Sequence, residues 1–185
     1  GPRKPTTRHF DVCVVGHLRE EKDPMRAALA ARLVPERSRL RVIHLGKAHN
    51  QAFAKAAQKE MATNPRYIWK GEVPAWRVRR EYARTQAMVI TSNQEGGANV
   101  VSEAIAAGVP VIASDIDGNI GLLGKDYAGF YPVQDEAALA DVLWRAENEA
   151  KFLKELTRQT KKLRPLFLAK HEAKGWVDVV ETVCR

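Results

Sequence analysis

Short apolar runs, each closed by a glycine or a turn and followed by a helix-length segment, recur along this chain. FDVCVVG (10–16) and RVIHLG (41–46) are apolar and β-branched, as strands buried on both faces are, and each ends on glycine. RYIWKGEV (66–73), AMVITS (87–92), PVIAS (110–114) and GFYPV (129–133) continue the series. The first helix is predicted to open at Asp23-Pro24, Asp23 capping and Pro24 in the first helical position, and to end near Leu33, before Pro35. Further helices are predicted over about 50–62, over AWRVRREYAR after Pro74, and over NVVSEAIAAG (99–108), where Gly108 suits a left-handed C-cap. Residues 135–148 and 149–163 read as helices, and a last amphipathic helix over about 173–183 carries Trp176, Val177, Val180 and Val183. Strands joined by helical crossovers pair in parallel, so the fold class is α/β: a doubly wound parallel sheet with helices on both faces. Ligands of such sheets bind where the strands end, which directs attention to the strand exits.

A chain of 185 residues, 45% hydrophobic and 28% charged, suits one globular domain. Gly1-Pro2 reads as the scar of a cleaved tag on a chain cut from something longer, and residues 1–9 as linker before a domain over 10–185. No apolar run reaches the roughly 18 residues that a membrane span needs, and no secretion leader opens the chain. Cys13 and Cys184 form no CxxC or Cys/His cluster; they read as buried thiols in a reducing cytoplasm. Thirty basic against 22 acidic side chains leave a net charge of +8, which favours a phosphate-bearing ligand, nucleic acid or an anionic surface without choosing among them.

The exit at 92–99, SNQEGGAN, is the most informative. Gly96 and Gly97 let backbone N–H groups approach a ligand unobstructed, and the helix start beyond Ala98 and Asn99 offers unpaired N–H groups and a partial positive charge, a seat for phosphate. Glu103, one turn in, can accept two vicinal hydroxyls such as a ribose presents, while Glu95 faces whatever lies beyond the phosphate. The plainer alternative is a tight turn followed by a solvated helix residue.

Residues 95–111, EGGANVVSEAIAAGVPV, resemble the Glu-x7-Glu signature of the glycosyl transferases group 1 family, retaining-type enzymes of GT-B fold. Gly16-His17-Leu18 followed by Lys22 resembles that family's G-R-L-x-x-x-K loop, and the likeness runs from about residue 10 to 180. The resemblance implies the Rossmann-like, C-terminal, donor-binding half of a GT-B glycosyltransferase. It places Lys22 and His17 (with Gly16) at the donor diphosphate, Glu103 at the ribose, Glu95 with the Gly96-Gly97 backbone at the sugar, and the backbone near Val73 at the base. Lys22, His17 and a helix N-terminus can stabilise charge on the leaving diphosphate without a metal, and Glu95 can support an oxocarbenium-like carbon. The implied substrate is a nucleotide sugar, by family a UDP-sugar such as UDP-N-acetylglucosamine or UDP-glucose, with no cofactor. The family also needs an amino-terminal acceptor domain, so this chain alone is expected to bind donor but turn it over poorly or not at all.

Two positions depart from the family pattern. His17 replaces an arginine with a weaker, titratable cation, and Gly118-Asn119-Ile120-Gly121 stands where an acidic residue is usual. The combination of GHLREEKDP, GEVPAWRVRR, EGGANVVSEA and GNIGLLG is similar to one bacterial branch, the selenosugar synthases of selenoneine biosynthesis, which join a UDP-sugar to selenophosphate.

Other signals have plainer readings. Asp115-Ile116-Asp117 matches a D-x-D metal motif of another glycosyltransferase fold, but a turn built from Asp and Gly explains it as well. His44 and His49 lack metal-ligand spacing and read as structural or exposed. Arg77, Arg79, Arg80 and Arg84 fit a solvated helix face better than a nucleic-acid surface. Two rival functions remain: a nucleotide-sugar epimerase or phosphorylase of the same fold, and a non-catalytic basic module for nucleic acid or anionic lipid.

Overall fold

The computed structural model describes residues 3–95 and 99–168. Six strands form one sheet in the order β3-β2-β1-β4-β5-β6, every neighbouring pair parallel. They are β1 (Phe10–Val15), β2 (Leu40–Leu45), β3 (Tyr67–Trp69), β4 (Ala87–Ile90), β5 (Val111–Ser114) and β6 (Phe130–Tyr131). Helices α1 (Arg26–Leu33), α2 (Gln51–Thr63), α3 (Ala75–Arg84), α4 (Asn99–Ala106), α5 (Asp117–Leu123), α6 (Glu136–Asn148) and α7 (Ala150–Leu163) fill the connections. This is the doubly wound α/β architecture expected of the alternating pattern.

β1, β4 and β5 are buried almost throughout, which is why their sequences read as unbroken apolar runs. The charged member of β1, Asp11, is buried and takes two hydrogen bonds of 2.8 Å from the Arg41 guanidinium on the neighbouring strand. Cys13 is a buried free thiol, held neutral because burial pushes its pKa up to about 12. Asn50 and Asp135 cap α2 and α6 by accepting the Phe53 and Ala138 N–H groups at 3.0 and 2.8 Å. Gly108 ends α4 with φ of 72°, as its position predicts.

Four local expectations differ from what is found. Asp23 does not cap α1: it adopts φ of 42° at the end of a 3₁₀ turn (Glu20–Lys22), its carboxylate accepts from Arg26 Nε at 2.7 Å, and α1 starts only at Arg26. β3 stops at Trp69 because Gly71, at φ of 66°, turns the chain toward Pro74. Residues 115–119, which read as a turn, run into α5. The stretch read as linker is docked from residue 3: Lys4 and Thr6 N–H groups reach the Ala83 and Arg84 carbonyls at 2.8 and 3.0 Å. Arg3 also donates to the Tyr82 and Gly108 carbonyls, closing the ends of α3 and α4. The helix expected over 173–183, and Cys184, lie outside the described residues.

Candidate functional site

Crossover direction reverses between β1 and β4, so the loops leaving these two neighbours diverge and open a crevice at their carboxyl ends. The β1 loop is pinned over β4. Thr91 Oγ1 donates to the Lys22 and Asp23 carbonyls at 2.8 and 3.0 Å, and the Asn93 N–H meets the Glu21 carbonyl at 2.9 Å.

Pinning brings the Lys22 ammonium onto Oε1 of Glu95, which also accepts from Ser92 Oγ at 2.6 Å. Beneath them runs a buried polar chain. Ser114 Oγ donates to the Ser92 carbonyl at 2.7 Å, and Asn119 Nδ2 donates to the Ser114 carbonyl and hydroxyl at 2.9 and 3.2 Å. Gly118, in the first turn of α5, lies so near that a Cβ would stand 2.3 Å from the Glu95 carbonyl oxygen. The chain between β5 and α5 is thus a cradle for the backbone and carboxylate of Glu95.

The exit of β1 is fixed from the other side. His44 is buried and uses both ring nitrogens, Nε2 to the Gly16 carbonyl at 3.1 Å and Nδ1 to Tyr67 Oη at 2.9 Å. Burial lowers its pKa to about 4, so the ring is neutral and the Nε2–H donates to Gly16 while Nδ1 accepts from tyrosine. Gly46 packs directly on this turn, where a Cβ would stand 1.8 Å from the Gly16 carbonyl oxygen. His17, next in line, is exposed, and its Nδ1 accepts the Lys47 N–H at 3.1 Å, which turns Nε2 outward.

Gly16, His17, Lys22 and Glu95 share one crevice. Gly16, His17 and Lys22 continue, with Val73, around a cavity of about 300 Å³. Val73 leads in turn to a cavity of about 590 Å³ between α3 and α4, lined by Val78, Tyr82, Arg79 and Glu103. The residues singled out in sequence therefore form a row along the carboxyl edge, with Glu95 at one end and Glu103, exposed, at the other. Asn99 starts α4 and is exposed, whereas Gly96, Gly97 and Ala98 lie outside the described residues.

Residues 3–163 match the family model for glycosyl transferases group 1. The chain belongs to that family. A protein of Bacillus subtilis (strain 168) described as a teichuronic acid biosynthesis glycosyltransferase, TuaC, is 35% identical over 91 residues, which are 49% of this chain and 23% of TuaC. The fold matches Anabaena Alr3699/HepE, solved with UDP and glucose, at a TM-score of 0.80 and 16% identity over 96% of this chain and 48% of HepE. It also matches the pneumococcal O-GlcNAc transferase GtfA, solved with UDP and GlcNAc, at 0.78 and 19% identity over 100% of this chain and 37% of GtfA. The chain thus spans less than half the length of these relatives.

Elsewhere in this glycosyl transferases group 1 domain, Asp115 and His44 have hydrogen-bond partners within the fold, whereas His49 and the α3 arginines are exposed. Asp115 accepts the Val133 N–H at 3.0 Å and Asp117 opens α5; no group of three potential metal ligands occurs among the described residues. His44 is structural and His49 exposed. Arg77, Arg79, Arg80 and Arg84 are exposed along α3. No helix among the described residues is long and apolar enough to cross a membrane. Sequence reading missed the part of Ser92, Ser114 and Asn119 in supporting Glu95, and took Arg79 as one of a solvated helix face, whereas it lines a cavity with Glu103. An asparagine and serines beside a carboxylate-bearing loop were the available signal.

Proposed function

We propose that this domain is the donor-binding half of a glycosyltransferase and takes a UDP-sugar, UDP-N-acetylglucosamine or UDP-glucose. The observation that carries this reading is the row running from Glu95 and Lys22 past His17 and Val73 to Glu103. Its members suit a nucleotide sugar laid along the sheet edge: sugar at Glu95, diphosphate at Lys22, His17 and the start of α4, and the nucleoside in the cavity that Val73 and Glu103 share, with the ribose at Glu103 and the base by the Val73 backbone. HepE and GtfA, solved with UDP and a sugar on the same fold, support the choice of ligand.

The acceptor in this reading is selenophosphate, on the strength of the combined loop sequences around Gly16, Val73, Glu95 and Gly118. Selenium attacks the anomeric carbon, a C–Se bond forms, and the C–O bond to UDP breaks with its electron pair on the diphosphate oxygen. Lys22 and His17, rather than a metal ion, stabilise that developing charge, and Glu95 supports positive charge at the anomeric carbon. An amino-terminal domain supplies the opposite wall of the cleft, in cytoplasmic surroundings.

The test is calorimetric titration of this chain with UDP, GDP, ADP and UDP-N-acetylglucosamine at moderate salt. Saturable binding that prefers UDP and its sugar is expected. Preference for GDP or ADP keeps the fold and overturns the selenosugar assignment, and equal weak binding of every polyanion overturns the donor reading. Consumption of UDP-sugar without acceptor, once the amino-terminal half is restored, would identify an epimerase instead.

A further inference from the structure

Asp23, the residue after Lys22, has φ of 42° and ψ of 59°, the left-handed region that side chains rarely enter. It also precedes Pro24, and a proline ring pushes the residue before it toward extended backbone. Two local preferences are overridden at one residue, and its neighbours show how. The Asp23 carboxylate accepts from Arg26 Nε at 2.7 Å, while Nη1 of the same guanidinium meets Glu136 in the first turn of α6. Thr91 Oγ1 holds the Lys22 and Asp23 carbonyls, and the Asp23 N–H meets the Glu20 carbonyl at 3.0 Å. The Asp23 and Arg26 side chains are each only 16% exposed, so their pair is enclosed between α1 and α6 instead of lying free on the surface.

We infer that Arg26 is a positioning residue: anchored by Glu136, it holds Asp23 in this strained conformation and thereby sets Lys22 on Glu95 and at the donor diphosphate. Strained backbone persists only where its surroundings over-determine it, and it gathers at functional sites. The reason it matters here is what lies on either side. α1 is fixed to the core by buried Ala27, Ala28, Ala30 and Ala31, so a relaxation of Asp23 toward extended backbone is taken up on the other side, by the 3₁₀ turn that ends at Lys22. Arg26 touches no ligand in this role, which rests on the donor reading above for its ligand though not for its geometry. A glycine at position 23 reaches the same φ without strain and needs no clamp, so the role can be tested by rescue.

The experiment pairs UDP calorimetry with the carboxyl ¹³C signal of Glu95 in the ligand-free chain, which reports the Lys22–Glu95 pair without any donor. Arg26→Met keeps the packed stem and removes the guanidinium. It is expected to weaken UDP by roughly five- to tenfold, because binding must then strain Asp23 anew, and to move the Glu95 signal toward its position in Lys22→Ala. In an Asp23→Gly background the same change is expected to cost less than about twofold and to leave the Glu95 signal in place. In a Lys22→Ala background it is likewise expected to cost less than about twofold. A loss as large in either background as in the parent overturns the proposal, because Arg26 then acts through something other than Asp23 and Lys22. An unmoved Glu95 signal in Arg26→Met overturns it too. If the parent does not bind UDP while the Glu95 signal still responds to Arg26→Met and is rescued by Asp23→Gly, the donor reading falls and Arg26 keeps its hold on the pair. Should Arg26→Met not fold, Glu136→Ala, at a side chain 40% exposed, takes its place: the same changes are expected at about two- to threefold, and an unmoved Glu95 signal is equally decisive.

Discussion

Lys22 and Glu95, 73 residues apart in sequence, form an ion pair across the mouth of the β1–β4 crevice. The carboxylate is the more enclosed partner, with its side chain 8% exposed against 22% for the lysine. In the proposed donor-binding role the lysine would meet the diphosphate and the carboxylate the sugar, and until a ligand arrives each holds the other in place.

The two ends of this pair predict opposite effects. Lys22→Ala strands an enclosed carboxylate and removes a phosphate contact; we expect a stability loss of about 1–3 kcal/mol and UDP binding weaker by roughly tenfold or more. Glu95→Gln keeps the hydrogen bond from Ser92 while releasing Lys22 from its counter-charge. UDP affinity is then expected to hold or rise. Parallel calorimetry on both variants checks this, and an equal fall in the two would refute the pairing as a determinant of donor binding.

Two glycines set the walls of the crevice by what they lack. A Cβ at Gly46 would lie 1.8 Å from the Gly16 carbonyl oxygen, and one at Gly118 would lie 2.3 Å from that of Glu95. Both obstacles are backbone, which cannot rotate away. Each Gly→Ala change is expected to cost about 2–4 kcal/mol and several degrees of melting temperature, through overpacking. Gly16→Ala is the control, since nothing stands within 4 Å of its Cβ position; thermal unfolding of the three variants decides the matter.

These contacts also show what was legible beforehand. β1, β2 and α3 were readable because their periodicity reports burial directly, and α3 runs over the ten residues expected of it. The row from Glu95 to Glu103 was readable because its members sit at strand exits, whose place in a parallel sheet is fixed by topology. α5 was not. Asp117, Gly118 and Asn119 favour turns locally, and the helix exists because Gly118 fits against Glu95 and Asn119 is buried with its amide on Ser114. The start of α1 was misplaced for a related reason: Asp23 spends its carboxylate on the Arg26 side chain instead of on helix N–H groups. Periodicity carries burial, but not which polar partners a later crossover will bring together.

His44 predicts a pH dependence of stability. Its pKa is about 4 in the folded chain, against 6.5 for the ordinary side chain, so between these values the unfolded chain binds the proton and the folded chain does not. The contribution is complete above pH 6.5 and is lost as pH falls through about 4, a total on the order of 3 kcal/mol. His44→Gln keeps a donor for the Gly16 carbonyl but cannot titrate. Urea unfolding between pH 7 and 4 should show a steeper decline in the parent than in this variant, and parallel curves would sink the assignment.

Glu103 separates a nucleotide site from a merely basic surface. It lines the cavity between α3 and α4 with Val73 on one side and Arg79 close by. A carboxylate there repels polyanions in general and gains only from a ligand that offers it hydroxyls. If it accepts the ribose hydroxyls, UDP binds more tightly than 2′-deoxy-UDP by roughly tenfold, the scale of one hydrogen bond to a charged group. In Glu103→Ala that preference collapses toward unity because UDP itself weakens, while binding of a nonspecific polyanion such as heparin holds or tightens as a negative charge leaves the surface. A variant that loses UDP and 2′-deoxy-UDP alike would place the ribose elsewhere. One that binds every anion more tightly, UDP included, would mean that the charge of this face rather than a built ribose site governs what the domain holds.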